Sequence, residues 1–334
     1  MIPRCHQVIL NINMRIGTVT LALLVMACTT PASTQPSPAA DALRVVVTTT
    51  VLADLVGNVG GSDVEIVSLV PKGGEVHTFD PTPSDLTEIA EADLVVMNGL
   101  GLDAWLRQMV EDSGSGAPVV ELAEDLDGVT YLAGDEHKDD EPEEGEHPDE
   151  SAHTGEDGAP GEAVNPHLWL NVEYTRLYVD RIAEALATAD AEDAATYQAN
   201  ARVYGERLAA LDAEIRGQID SIPEASRRIV SFHEAYPYYA EAYGLEVVGT
   251  IVDAPGQDPS AGEIADLVDA IRASGAKAVF TEAQFSPDLA ETVAAEAGVK
   301  VVRDLYNDSL GDPPLDSYEA MMRWNTSQTV EALR

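Results

Sequence analysis

Roughly fifty residues in the middle of the chain, from Val172 to Ile219, carry helical spacing with only loose punctuation, far more than the three or four turns of an ordinary helix. Val172, Leu177, Ile182 and Leu186 suit one amphipathic helix running to Ala187, a second extends from about Glu192 to Ile219, and Pro223 ends the stretch. Such a segment reads as a spine between two globular halves. The chain enters it through Asn165-Pro166-His167-Leu168-Trp169-Leu170, where a proline precedes a histidine and an apolar triplet follows. A histidine on so rigid a corner suits a metal ligand; a buried histidine at a helix start is the plainer alternative.

Both halves alternate strand and helix. Before the spine, residues 43–49 are a β-branched apolar run followed by a helix over 51–59 and a Gly60-Gly61 stop. Strands over 64–70, 93–98 and 118–122 follow, with helices over 83–92 and 102–112 between them. After the spine, strands are predicted over 228–232, 245–252, 277–281 and 299–303, and helices over 234–243, 262–273, 288–297 and 315–333. Four strands per half at this spacing predict an α/β fold with parallel sheets covered on both faces.

The chain's 334 residues allow two cores of ordinary size. A formal net charge of -40 repels phosphate backbones, which argues against nucleic-acid binding, and it concentrates cations. Cysteine occurs only at Cys5 and Cys28, so the folded part has no disulfide and no thiolate metal ligand. Residues 16–27 form an apolar run preceded by Arg15 and ending Val25-Met26-Ala27-Cys28, too short for a membrane span. The segment resembles a bacterial lipoprotein signal with cleavage before Cys28, although Met26 is unusual in such a box. A start at Met14 gives a tidier leader. Residues 29–42, rich in Thr, Pro, Ser and Ala, read as a flexible tether.

Residues 135–162 hold thirteen Asp or Glu, one Lys and three histidines, His137, His147 and His153. Such a segment cannot bury a core and is expected to be a disordered, solvated loop; its imidazoles and carboxylates suit loose auxiliary metal capture. Outside it and the leader only His77, His167 and His233 remain. His77 follows the second predicted strand, His233 the fifth, and Asp308 the eighth. Ligands in open α/β sheets bind beyond the carboxyl ends of strands, so these positions can converge in a cleft between the halves. Three imidazoles and one carboxylate would make a four-coordinate site suited to Zn²⁺, whereas magnesium or calcium would want oxygen throughout.

Five motifs in order carry a family resemblance: His77-Thr78-Phe79-Asp80-Pro81-Thr82-Pro83-Ser84-Asp85, the corner at His167, Ser231-Phe232-His233-Glu234-Ala235-Tyr236, Phe280-Thr281-Glu282, and Tyr306-Asn307-Asp308-Ser309-Leu310-Gly311. Together they resemble the zinc/manganese solute-binding proteins of ABC importers, from about Leu43 to the end. The resemblance implies two four-stranded parallel-sheet lobes bridged by a long rigid helix, with metal in the cleft held by His77, His167, His233 and Asp308. It also implies a cargo of Zn²⁺ or Mn²⁺, a permease and ATPase as partners, a lipid anchor at Cys28 on the outer side of the cell membrane, and a monomer. Asn165 stands where the family commonly has Asp, and Val76 where it often has Pro; both flank a ligand and bear on metal preference.

The expected divisions are a signal over 1–28, a tether over 29–42, a first lobe over 43–190, a linking helix over 191–221 and a second lobe over 222–334. The competing reading is a zinc hydrolase, with Glu234 or Glu282 as general base and an open position for water, which a fourth ligand at Asp308 would close. His233-Glu234 begins like a zincin helix, but Pro237 stands where the second histidine would be needed. A haem- or siderophore-binding relative would not need three convergent histidines. Tyr236, Tyr238, Tyr239 and Tyr243 are expected on a packed, half-exposed helix face; Glu75 and Glu282 are candidates to support or replace a ligand, with the surface or cleft wall as the first expectation.

Overall fold

The continuous apolar run at residues 43–47 becomes the inner strand β1 (Leu43–Val47), whose last three valines are buried on both faces. The computed structural model describes residues 42–134 and 164–334. The leader with Cys28, nearly all of the tether, and the acidic stretch 135–162 with His137, His147 and His153 lie outside the described residues. Strand β1 pairs in parallel with β2 (Val64–Ser68) and β3 (Leu94–Met97), and β3 with β4 (Val119–Glu121), in the order β2-β1-β3-β4. Helices α1 (Thr50–Gly60), α2 (Pro83–Ala90) and α3 (Ala104–Ser113) form the covering layers. Val45 and Val47 pack with Leu52, Leu55 and Val56, while Val46, Val95 and Met97 pack with Ile89 and Leu106, so each face has its own helix layer.

All four strands expected in the second half are present: β5 (Arg228–Ser231), β6 (Glu246–Thr250), β7 (Ala278–Glu282) and β8 (Lys300–Leu305). With β5 beside β7, their order β6-β5-β7-β8 repeats that of the first lobe. Their hydrogen bonding differs from one four-stranded ladder. It forms two parallel pairs, β5-β6 and β7-β8, each with a register shift, at Ile229/Val230 and at Phe280/Glu282. Such irregularities bend and twist the strand that carries the extra residue, here the outer strands β6 and β8. Helices α6 (Pro237–Tyr243), α7 (Ala261–Ser274) and α8 (Asp288–Ala297) alternate with them.

The predicted spine is two helices, α4 (Val172–Ala189) and the 27-residue α5 (Ala194–Asp220), the latter about 40 Å long at 1.5 Å per residue. The Asn171 side chain starts α4 by accepting the Glu173 N–H. Tyr197, Ala201, Tyr204, Leu208, Leu211, Ile215 and Ile219 recur every three or four residues and are buried. This stripe packs against α4, α1 and the terminal helix α9 (Tyr318–Leu333). Val47 of the first lobe, Leu208 of the spine and Phe280 of the second lobe belong to one continuous core.

Helix α6 begins at Pro237, three residues later than predicted, because proline fits the first helical position and residues 233–236 stay in a turn. Tyr236, Tyr238, Tyr239 and Tyr243 are therefore all buried, not half-exposed, in the seam between α6 and its neighbours. No described helix is long and apolar enough to cross a membrane.

Candidate metal centre

The four predicted ligands sit in loops or turns between ordered elements. His77 lies in the loop between β2 and α2, His233 just after β5 and Asp308 just after β8; His167 opens the short turn Leu168–Leu170 ahead of α4. They meet between the lobes, with one ligand atom from each lying within 4.8 Å of all the others. His77 Nε2 and His167 Nε2 are 3.3 Å apart. Asp308 Oδ1 is 3.5 Å from His167 Nε2, and Oδ2 is 3.7 Å from His233 Nε2 and 4.0 Å from His77 Nε2. A zinc ion with bonds of 2.0–2.1 Å sets its tetrahedral ligands about 3.3 Å apart, so the two-histidine edge already has that width and the carboxylate edges are wider.

The donor atoms are held by neighbours that fix their direction. Asn165 Oδ1 is 3.1 Å from His167 Nδ1 and leaves Nε2 facing the cluster. Glu282 Oε1 is 3.5 Å from His233 Nδ1, an ion-pair distance that does the same for His233. Asn307 Oδ1 accepts the Asp308 N–H at 2.7 Å, and Gln284 Nε2 donates to Asn307 Oδ1 at 3.0 Å. The His77 N–H donates to Glu75 Oε1 at 2.9 Å. Trp169 and Phe285 set their rings 5.2 and 5.5 Å from those of His167 and His233, walling the imidazoles with apolar surface.

The Asp308 turn is tied to the first lobe on both sides. The indole N–H of Trp169 donates to the Asn307 carbonyl at 2.9 Å, the Gly73 N–H to Ser309 Oγ at 2.7 Å, and the Leu310 N–H to Thr50 Oγ1 at 2.9 Å. Behind His167, Asn98 Nδ2 donates to the Pro166 carbonyl, and buried Asp103 accepts from the N–H groups of Asn98 and Gly99 and from Thr48 Oγ1.

Burial pulls the titrating groups apart. His167 is held well below the usual imidazole range by burial and by the neighbouring His233 and His77. Burial also pushes His233 down, but Glu282, Asp308 and Glu75 together carry it up to about 9. Asp308 is raised well above the carboxylate range by burial and by Glu75 and Glu282. Asp308 Oδ1, His233 Nδ1 and both Glu282 oxygens are buried without a hydrogen-bond partner. A buried carboxylate oxygen without a donor is costly, and a divalent cation among the three Nε2 atoms would supply what Asp308 Oδ1 lacks.

A cavity of about 360 Å³ leads to the cluster, lined by His77, His167 and His233 with Leu100, Asp253 and Pro255, while Asp308 is buried beneath it. Leu100 lines the cavity with φ of 53°, an uncommon conformation for leucine, between Gly99 and Gly101. Gly134 and Val164, the described residues nearest the acidic stretch in sequence, also line the cavity.

One expectation about a carboxylate needs correction. Glu282 is the last residue of β7, 1% exposed, and pairs with His233; it is neither at the surface nor on the cleft wall. Glu75 is half-buried and holds the His77 backbone. Sequence reasoning also passed over Gln284, Asn307 and Asn98. Asn307 adjoins a ligand and Gln284 is two residues from Glu282, but nothing in residue type separates a supporting amide from a surface one.

Residues 45–332 match the family described as zinc-uptake complex component A, periplasmic. The manganese-binding lipoprotein MntA of Halalkalibacterium halodurans is 30% identical over 315 residues, covering 94% of this chain and 95% of that protein. The iron ABC transporter substrate-binding lipoprotein MtsA of Streptococcus pyogenes is 26% identical, over 97% of this chain and 98% of its own. Among solved structures, the periplasmic zinc-binding protein TroA of Treponema pallidum shares the fold with a TM-score of 0.74 at 23% identity, covering 87% of this chain and 99% of that one. With the match running from β1 to the end of α9, the chain belongs to the zinc-uptake component A family of metal-binding ABC transporter proteins.

Proposed function

We propose that this protein captures one divalent transition metal outside the cytoplasm, zinc in preference to manganese, and delivers it to the permease and ATPase of an ABC importer. One observation carries the reading: three imidazole nitrogens and a carboxylate oxygen within 4.8 Å of one another, from His77, His167, His233 and Asp308. Nitrogen-rich shells favour zinc, and the general affinity order of divalent metals points the same way. His77 and His167 belong to one lobe and His233 and Asp308 to the other, so a change in lobe spacing on docking to the importer would open the cage and release the ion. Cys28 would anchor the chain to the membrane, and the carboxylates of residues 135–162 would gather ions near the cavity.

A manganese reading has its own support. Both oxygens of Asp308 face histidines, so the carboxylate can bind through two atoms and build the larger, more oxygen-rich shell that manganese accepts. MntA is named as a manganese-binding protein. A hydrolase would need a free position for water, which Asp308 as fourth ligand would take.

Elemental analysis of metal-stripped, refolded protein after exposure to equimolar zinc, manganese and iron tests the proposal, with His167→Ala alongside. One zinc per chain in the wild type is expected, and an affinity lower by orders of magnitude in the variant. Manganese at equal or higher occupancy would overturn the zinc preference. No bound metal, or wild-type affinity in His167→Ala, would overturn the capture reading.

A further inference from the structure

Asn165 touches the carriers of two histidines at once. Its Oδ1 accepts the His167 backbone N–H at 3.0 Å and lies 3.1 Å from the His167 ring Nδ1, while its Nδ2 donates to the carbonyl of Glu234, the residue after His233, at 2.7 Å. A backbone N–H can only donate and a carbonyl can only accept, so these two bonds identify the oxygen and nitrogen ends of the amide. The oxygen therefore faces Nδ1, and Nδ1 carries the hydrogen. The lone pair of His167 falls on Nε2, the nitrogen 3.3 Å from His77 and 3.5 Å from Asp308. The Asn165 backbone is fixed as well, its N–H donating to the Leu132 carbonyl at 2.9 Å and its carbonyl accepting from Tyr238 Oη at 3.0 Å.

We propose that Asn165 is a positioning residue that sets metal selectivity, by fixing the His167 tautomer and tying the His167 corner of one lobe to the His233 turn of the other. The proposal rests on the metal-binding reading of the site. An aspartate at this position would have the same shape but could make only half of the connection. Its first oxygen would keep both contacts to His167; its second would face the Glu234 carbonyl oxygen, acceptor against acceptor, and the tie between lobes would be lost. A small tetrahedral ion depends on both imidazoles being held at a fixed spacing. An ion that accepts more oxygen ligands and water depends on it less.

Charge alone and the tie predict opposite results for Asn165→Asp. A carboxylate beside Nδ1 makes the ring more basic and adds negative charge near the cation, which would tighten every divalent metal. Loss of the tie weakens zinc more than manganese.

The test is chelator competition with zinc and with manganese, separately, on the full-length wild type, Asn165→Asp, Asn165→Ala and His167→Ala, together with ¹⁵N spectra of histidine-labelled, metal-free protein. Zinc affinity should fall about 10–100-fold in Asn165→Ala, the range usual for loss of a partner that orients a metal-bound histidine, and should also fall in Asn165→Asp, through the lost tie alone. Manganese affinity should fall less, so that the zinc-to-manganese ratio narrows. The wild-type His167 signal should show a protonated Nδ1 and a bare Nε2, and Asn165→Ala should populate both tautomers. Tighter zinc binding in Asn165→Asp, an unchanged ratio, or a wild-type His167 protonated on Nε2 would overturn the inference. Wild-type protein that binds neither metal, or His167→Ala that binds as the wild type does, would overturn the metal-site reading beneath it. If Asn165→Ala does not fold, the isosteric Asn165→Asp decides.

Discussion

Glu282→Gln isolates the electrostatics of the site from its shape. In the metal-free protein His233 is carried up to about 9, with Glu282 the foremost of the charges that raise it against burial. A raised imidazole value means the proton is held more tightly, so below about pH 9 a metal must displace it and loses about tenfold in affinity per pH unit. At pH 7 the penalty is on the order of 100-fold. Replacing Glu282 with the isosteric amide removes the foremost raising charge, so burial, the largest influence on His233, pulls it downward against only Asp308 and Glu75. Proton competition then fades at neutral pH. Against this gain, an imidazole deprived of its carboxylate partner is a poorer ligand by about 10–100-fold. The two effects are of similar size and opposite sign near pH 7, and only the loss survives above pH 9. Zinc affinity should therefore be nearly equal in wild type and variant at pH 7 and clearly weaker in the variant at pH 9.5. Between pH 7 and 9 the wild-type profile should be steeper by up to one log unit per pH unit. Titration against a chelator of known proton dependence, with the fold checked by circular dichroism, gives both profiles. Parallel profiles would refute the reasoning, since Glu282 would then not govern the His233 proton.

Removing residues 135–162 should leave the fold and the tight site intact while abolishing additional weak metal binding. The flanking Ala133 and Val164 already form an antiparallel bridge, so a short linker can close the gap. Equilibrium dialysis at high and low metal concentration reads both classes of site; loss of the tight one would contradict the division of labour. Cys28→Ala should leave the protein soluble or unprocessed, because stable anchoring needs acyl chains on that thiol. Mass spectrometry of the membrane-extracted native protein should show a lipidated Cys28 at the N-terminus, and an unmodified cysteine would remove the anchor.

The sequence by itself determined the order of elements. Short β-branched or apolar runs such as Val45-Val46-Val47 and Ala278-Val279-Phe280, bounded by helical patterns, read as inner parallel strands buried on both faces, and the stripe from Tyr197 to Ile219 reads as a one-sided helix. It also marked His77, His167, His233 and Asp308, because the three histidines are the only ones outside the leader and the acidic stretch and Asp308 follows the last predicted strand within a recognisable motif. Tertiary structure decided what surrounds them. Whether Glu282 faces water or His233 depends on which way one residue points at the end of β7, and a register shift at that point alters the answer without changing the sequence pattern. Whether Asn165 reaches Glu234 depends on two segments from different lobes coming within 2.7 Å. The pairing of the second lobe's strands as two ladders, the burial of four tyrosines behind Pro237 and the tie from Ser309 to Gly73 have the same origin. Local propensity acts over a few residues and can be read along the chain, whereas these contacts join positions up to 236 residues apart and exist only once the lobes have packed.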